Sequence, residues 1–160
     1  MIQYEKPHIW IDADSCPAQA RDIVLKAAAK EELHVTYAAN RPLAFSLQNP
    51  LFTMHVCPST PGAADDYIVE HASEWDIVIT RDIPLAARLV EKNICVINDR
   101  GIRFDKDNIA KRLKERELSM QMEALGLHKG KGHIPYGGKE IKAFNECFQR
   151  VLAEKLYPFR

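Results

Sequence analysis

Five short runs of nearly unbroken apolar character constrain this chain more than any other feature. They are HIWIDA (8–13), LHVTYAA (33–39), LFTMHVC (51–57), DIVIT (76–80) and NICVIND (93–99). A strand with one wet face alternates polar and apolar residues, whereas a strand covered on both faces does not. Three of the intervening segments have apolar residues at helical spacing: Ala20, Ile23, Val24 and Ala27 behind Pro17; Ala64, Ile68, Val69 and Ala72 behind the PSTPG turn; Leu85, Leu89 and Val90 behind Pro84. Covered strands alternating with helices predict a three-layer α/β/α sandwich around a five-stranded, mainly parallel sheet.

The chain of 160 residues suffices for one core and is short for two, so residues 1–160 are expected to form a single domain. From about residue 105 it becomes basic and helical, with one long helix over 106–125, a glycine-rich loop over 126–139 and a last helix over about 140–156. At 46% hydrophobic and 28% charged residues, the composition excludes a disordered or coiled-coil chain. No apolar run approaches the roughly 20 residues of a membrane span, and MIQYEKPHIW has no leader-like apolar region, so a cytoplasmic protein without membrane contact is expected. The four cysteines, Cys16, Cys57, Cys95 and Cys147, are scattered without a CxxC pair, which argues against a disulfide framework or a zinc ribbon.

The zero net charge conceals a division. Residues 1–99 hold 8 Lys and Arg against 14 Asp and Glu, and residues 100–160 hold 14 against 8. An acidic half joined to a basic half suits a cation site beside a phosphate-binding surface.

In open parallel sheets, ligands bind outside the carboxyl ends of the strands, and the acids of this chain fall there. Asp12 and Asp14 end the first strand, Asp82 follows the fourth, Asp99 follows the fifth, and Asp65 and Asp66 begin the helix before the fourth. If strands one and four are neighbours, Asp12, Asp82 and that helix start converge on one crevice. On a helix, adjacent residues point about 100° apart, so Asp65 rather than Asp66 faces inward with Ile68 and Ala72. Clustered carboxylates repel one another, and a hard divalent cation, Mg²⁺ or Mn²⁺, relieves the repulsion. Helix capping accounts separately for Asp14, Ser15 or Asp82, but it does not account for Asp12 inside a strand end.

Taken together, WIDADSCP, ADDYIVEHA, DIVITRDIPLAARLVEKN and the NDRG turn resemble the YaiI/YqxD family of small bacterial proteins over essentially the whole chain. That family is regarded as PIN-like. The resemblance to PIN nucleases implies metal-binding and catalytic acids at Asp12, Asp65 and Asp82, with Asp14 as the second acid of the D-A-D step. Asn98, Arg100 and Gly101 match the N-P-R-G turn of the YaiI/YqxD family, and Asp99 stands in place of its proline. The implied activity is metal-dependent hydrolysis of RNA or single-stranded nucleic acid; beside the acids, Arg81, Asn98 and Arg100 are the residues expected to contact the substrate.

Other chemistries fit the sequence less well. D-A-D is also similar to the motif of haloacid-dehalogenase-type phosphatases, but their later motifs do not follow in order here. His55 and Cys57 have a strand-like zinc spacing that packing also explains, and Ser15 and Cys16 are better read as a cap and a packed thiol than as nucleophiles. Arg103, Lys111, Arg112, Lys114 and Arg116, with Lys129, Lys131 and Lys139, could track a phosphate backbone while His133 and Tyr136 stack on bases. The same features allow a binding protein without turnover, which holds RNA or a phosphorylated ligand.

Overall fold

A computed structural model describes residues 5–127 and 134–158. Within them the chain forms β1 (Ile9–Asp12), α1 (Ala18–Glu31), β2 (Val35–Ala39), β3 (Phe52–Val56), α2 (Ala63–His71), β4 (Ile77–Ile79), α3 (Ile83–Glu91), β5 (Cys95–Ile97), α4 (Lys106–Ala124) and α5 (Gly138–Leu156). The strands form one sheet in the order β3-β2-β1-β4-β5, and every strand pair is parallel. β1 is central: Ile9 pairs with Val35 on one side and with Ile77 on the other.

All four residues of β1 are buried, which explains the absence of polar alternation there. Side chains of successive strand residues point to opposite faces, and each face has its own core. Ile9, Ile11, Ile77 and Ile79 pack with Val24 and Leu25 of α1 and with Phe144, Phe148 and Val151 of α5. Trp10, Val78 and Val96 pack on the opposite face with Ile68 of α2, with Leu85 and Leu89 of α3, and with Ile109 of α4. The spacing of Phe144, Phe148 and Val151 places one stripe of α5 against the sheet, and burying each such side chain is worth about 1.5–3 kcal/mol.

The chain runs outward from β1 through β2 to β3, then returns to the other side of β1 for β4 and β5. The order therefore reverses between β1 and β4, and a crevice opens at their carboxyl ends. α1 stops at Glu32, whose left-handed φ of 56° lets its N–H reach the Ala28 and Ala29 carbonyls. Among the described residues, no helix is long and apolar enough to cross a membrane.

Candidate active site

Asp12 is the last residue of β1 and is only 7% exposed. Its Oδ2 accepts hydrogen bonds from the Thr80 hydroxyl at 2.8 Å and from the Ser15 hydroxyl at 3.0 Å. Thr80 Oγ1 in turn accepts the N–H of Asp82 at 3.0 Å, and Ser15 Oγ accepts that of Arg81 at 3.3 Å. The turn after β4 is thereby tied to the end of β1. Ser15 is not the cap of α1: Pro17 holds that position with no side-chain bond, and the Ser15 hydroxyl serves Asp12 instead.

Asp82 does cap α3, with Oδ1 accepting the Leu85 N–H at 3.0 Å. Capping occupies one of its two carboxylate oxygens. Asp65, in the first turn of α2, is half-buried and has no hydrogen bond or ion pair from its side chain among the described residues. Burial, then the charges of Asp82 and Asp12, push its carboxyl up to about 6. Burial also raises Asp12 against the lowering effect of Thr80 and Ser15, with further upward contributions from Asp82 and Asp14. Asp12, Asp65 and Asp82 thus form one electrostatic group.

The cations around this group are engaged elsewhere. Arg41 pairs with Asp14 at 3.3 Å, Arg88 pairs with Asp66 at 2.9 Å, and Arg81 pairs with Asp99. Asp14 therefore lies at the exposed rim, while Asp66 points away to the surface, as its helical offset from Asp65 predicts. Asp99 is 1% exposed, and its Oδ1 has no partner among the described residues.

Asn98 and Arg100 also make local structural bonds. The Asn98 side-chain oxygen accepts the N–H groups of Arg100 and Ile102 at 3.0 and 2.9 Å. Arg100 donates to the Pro135 carbonyl at 3.0 Å and lies over the Tyr136 ring, whose hydroxyl donates to the Asp99 carbonyl at 2.7 Å. Lys129, Lys131 and His133 fall outside the described residues.

Arg112 and Arg116 of α4 line a cavity of about 340 Å³ with Ile83, the residue after Asp82. Glu115 and Glu123 line the same cavity, so its two arginines are matched by two carboxylates. Cys16 is a packed thiol: burial, followed by the charge of Asp99, pushes it up to about 12, which leaves no thiolate at neutral pH. His55 stacks on Tyr67 with ring centroids 3.6 Å apart.

Among the described residues, no three Asp, Glu, His or Cys side chains are grouped closely enough to form a ready ligand set. The donor chemistry nevertheless suits a hard cation, because Asp12, Asp65 and Asp82 offer only oxygens and lack cationic partners of their own. Mg²⁺ commonly keeps several waters and takes only one or two carboxylates directly, so such spacing fits it with water bridging to the third.

The model of the family described as an uncharacterised BCR, YaiI/YqxD family, matches residues 10–154. The chain belongs to this family. Among its YaiI/YqxD relatives, the UPF0178 protein of Treponema denticola is 43% identical over 148 residues, covering 92% of this chain and 93% of the relative. A UPF0178 protein of Pseudomonas putida strain W619 is 41% identical over 148 residues, covering 91% and 95%.

Asp65 gives the first test of that crevice. Its folded carboxyl lies above the ordinary 3.8, so its contribution to stability is full below about 4 and is lost as pH rises through about 6. In metal-free buffer at pH 7.5, Asp65→Asn should stabilise the fold by about 1 kcal/mol after solvent screening, raising Tm by about 2–4 °C. The gain should vanish at pH 4, where Asp65 is already largely neutral. A lower Tm for the variant at pH 7.5 would show that the carboxylate is a structural acceptor.

Proposed function

We propose that this protein is a divalent-cation-dependent nuclease acting on RNA or single-stranded nucleic acid. One observation carries the reading: at the point where strand order reverses, the charge of Asp82 raises the proton affinity of both Asp12 and Asp65, and among the described residues none of the three carboxylates forms an ion pair. A bound Mg²⁺ or Mn²⁺ would supply charge neutralisation for the scissile phosphate and acidity for an attacking water. Ser15 and Thr80 fix Asp12 and leave its Oδ1 for the cation shell. Asp82 presents its second oxygen from the rigid start of α3, and Asp65 closes the crevice from α2. Asp14, at the rim, belongs to the outer part of this acidic set. Arg112 and Arg116 of α4, which share a cavity with Ile83 of α3, Glu115 and Glu123, are the candidate phosphate contacts, and Arg81 follows β4 at the crevice edge while Asp99 holds it.

A binding protein without turnover is the second reading, favoured by the spacing of the acids, which form no ready three-ligand set. Incubation with end-labelled unstructured RNA in Mn²⁺, Mg²⁺ or chelator separates the two. Cleavage in metal alone supports the nuclease, and retention without cleavage across RNA and single-stranded DNA supports the binder. Failure to bind nucleic acid even at low salt would sink both.

The phosphate contacts have their own test. Replacing Arg112 and Arg116 together with Ser should weaken RNA binding and flatten the slope of log affinity against log salt by about 1.4, the value for two lost single-strand phosphate contacts. An unchanged slope would remove α4 from the interface.

A further inference from the structure

At the opposite, amino-terminal edge of the sheet, the segments leading into β1, β2 and β4 open onto a cavity of about 510 Å³. Its floor is rigid. Asp76 accepts the His8 N–H at 3.0 Å, the Trp10 indole N–H at 3.0 Å and the Ser73 N–H at 2.9 Å. His8 stacks on Trp10 with centroids 4.1 Å apart and places Nε2 2.7 Å from the Thr36 hydroxyl. With both oxygens engaged, Asp76 is committed to holding this floor together.

The wall is open for contact. Trp75 is 56% exposed, and the side chains of Glu5 and Glu32 have no hydrogen bond or ion pair among the described residues. Lys6, on the same wall, donates to the Glu31 carbonyl at 2.8 Å. Burial lowers the proton affinity of His8, so this imidazole adds no positive charge at neutral pH. Glu5, Glu32 and Asp76 outnumber Lys6 on this lining, so the wall beside the accessible indole carries net negative charge that disfavours phosphate and attracts a cation over the indole face, the interaction for which Trp is the best aromatic partner. A bare metal ion is less suited, because no three donors are grouped there.

We infer that this cavity binds an organic ammonium group, held over Trp75 and neutralised by Glu5 and Glu32. The site shares no residue with the carboxylate crevice and stands or falls independently of the nuclease reading. The same ammonium chemistry occurs in a free polyamine and in a lysine side chain, and two probes distinguish these sources.

The experiment is an NMR titration that follows the indole N–H resonances of Trp10 and Trp75, assigned by the loss of one in Trp75→Ala. Spermidine and Nα-acetyl-lysine amide are the probes, and AMP is the anionic aromatic control. The expected result is a saturable shift of the Trp75 resonance with an ammonium probe. The affinity should fall about tenfold or more in Glu5→Gln/Glu32→Gln, and comparably in Trp75→Ala when read from Trp10. Saturation by spermidine alone identifies a polyamine, and saturation by the lysine amide alone identifies a peptide side chain. The inference is overturned if neither ammonium gives a saturable shift, if AMP shifts the resonance instead, or if binding survives the double Gln substitution. Trp75 and both glutamates lie at the surface, so unchanged Tm values establish that the variants are folded.

Discussion

Asp82→Asn is expected to lower metal-dependent phosphodiester cleavage by about a hundredfold or more, with RNA affinity unchanged or tighter. The substitution separates the two duties of this residue. Asn caps helices about as well as Asp, so the bond to the Leu85 N–H and the start of α3 should persist. What disappears is a negative charge near Asp12 and Asp65. That loss weakens cation binding and also removes repulsion toward an anionic strand. Cleavage rate and equilibrium RNA affinity, measured on the same preparation, should move apart. A variant that cuts at the wild-type rate would reduce Asp82 to a cap. One that loses Tm along with activity would show that the cap, rather than the charge, was at stake.

Local patterns made much of this arrangement readable in the sequence. The apolar runs locate all five strands. Burial on both faces removes polar alternation in β1, β2, β4 and β5, whereas β3, at the sheet edge, exposes Thr53 and Val56 and is not covered as its apolar run suggests. Leu85, Leu89 and Val90 of α3 are buried as their spacing predicts. Asp12 and Asp82 stand out as acids at strand ends. Long-range partners could not be read in this way. Asp12 receives Thr80 from 68 residues away, and Arg81 finds Asp99 from 18 away. No periodicity encodes either pairing.

The pairing of Asp14 with Arg41 likewise depends on where the loop after β2 returns. Ile68 of α2 and Ala72 at its end are buried, whereas Ala64 and Val69 are only half-buried. The stripe Phe144, Phe148 and Val151 was available as a signal that the last helix is a core element, but the surrounding lysines draw attention to charge instead. The amino-terminal cavity escaped the sequence reading altogether, since its walls come from the starts of three strands that are not consecutive in the chain.

Gly101→Ala should be the most destabilising single methyl addition at a described glycine, costing about 3 kcal/mol and lowering Tm by about 6–12 °C. Two effects combine at this position. Gly101 has φ of +82°, where an L side chain is strained, and a Cβ there would lie 2.4 Å from the Ala143 carbonyl oxygen of α5. The obstacle is helix backbone, so relief requires α5 to retreat, and α5 carries Phe144 and Phe148 into the core. Gly62→Ala is the matched control, because φ there is +77° but nothing lies within 4 Å of the added methyl. That variant should lose only the strain component, about 1 kcal/mol. The difference between the two Tm values therefore reports how tightly α5 presses on the turn that carries Asn98, Asp99 and Arg100. Equal losses would mean that α5 yields freely and that the Tyr136–Asp99 contact does not hold the β5 edge of the crevice in place.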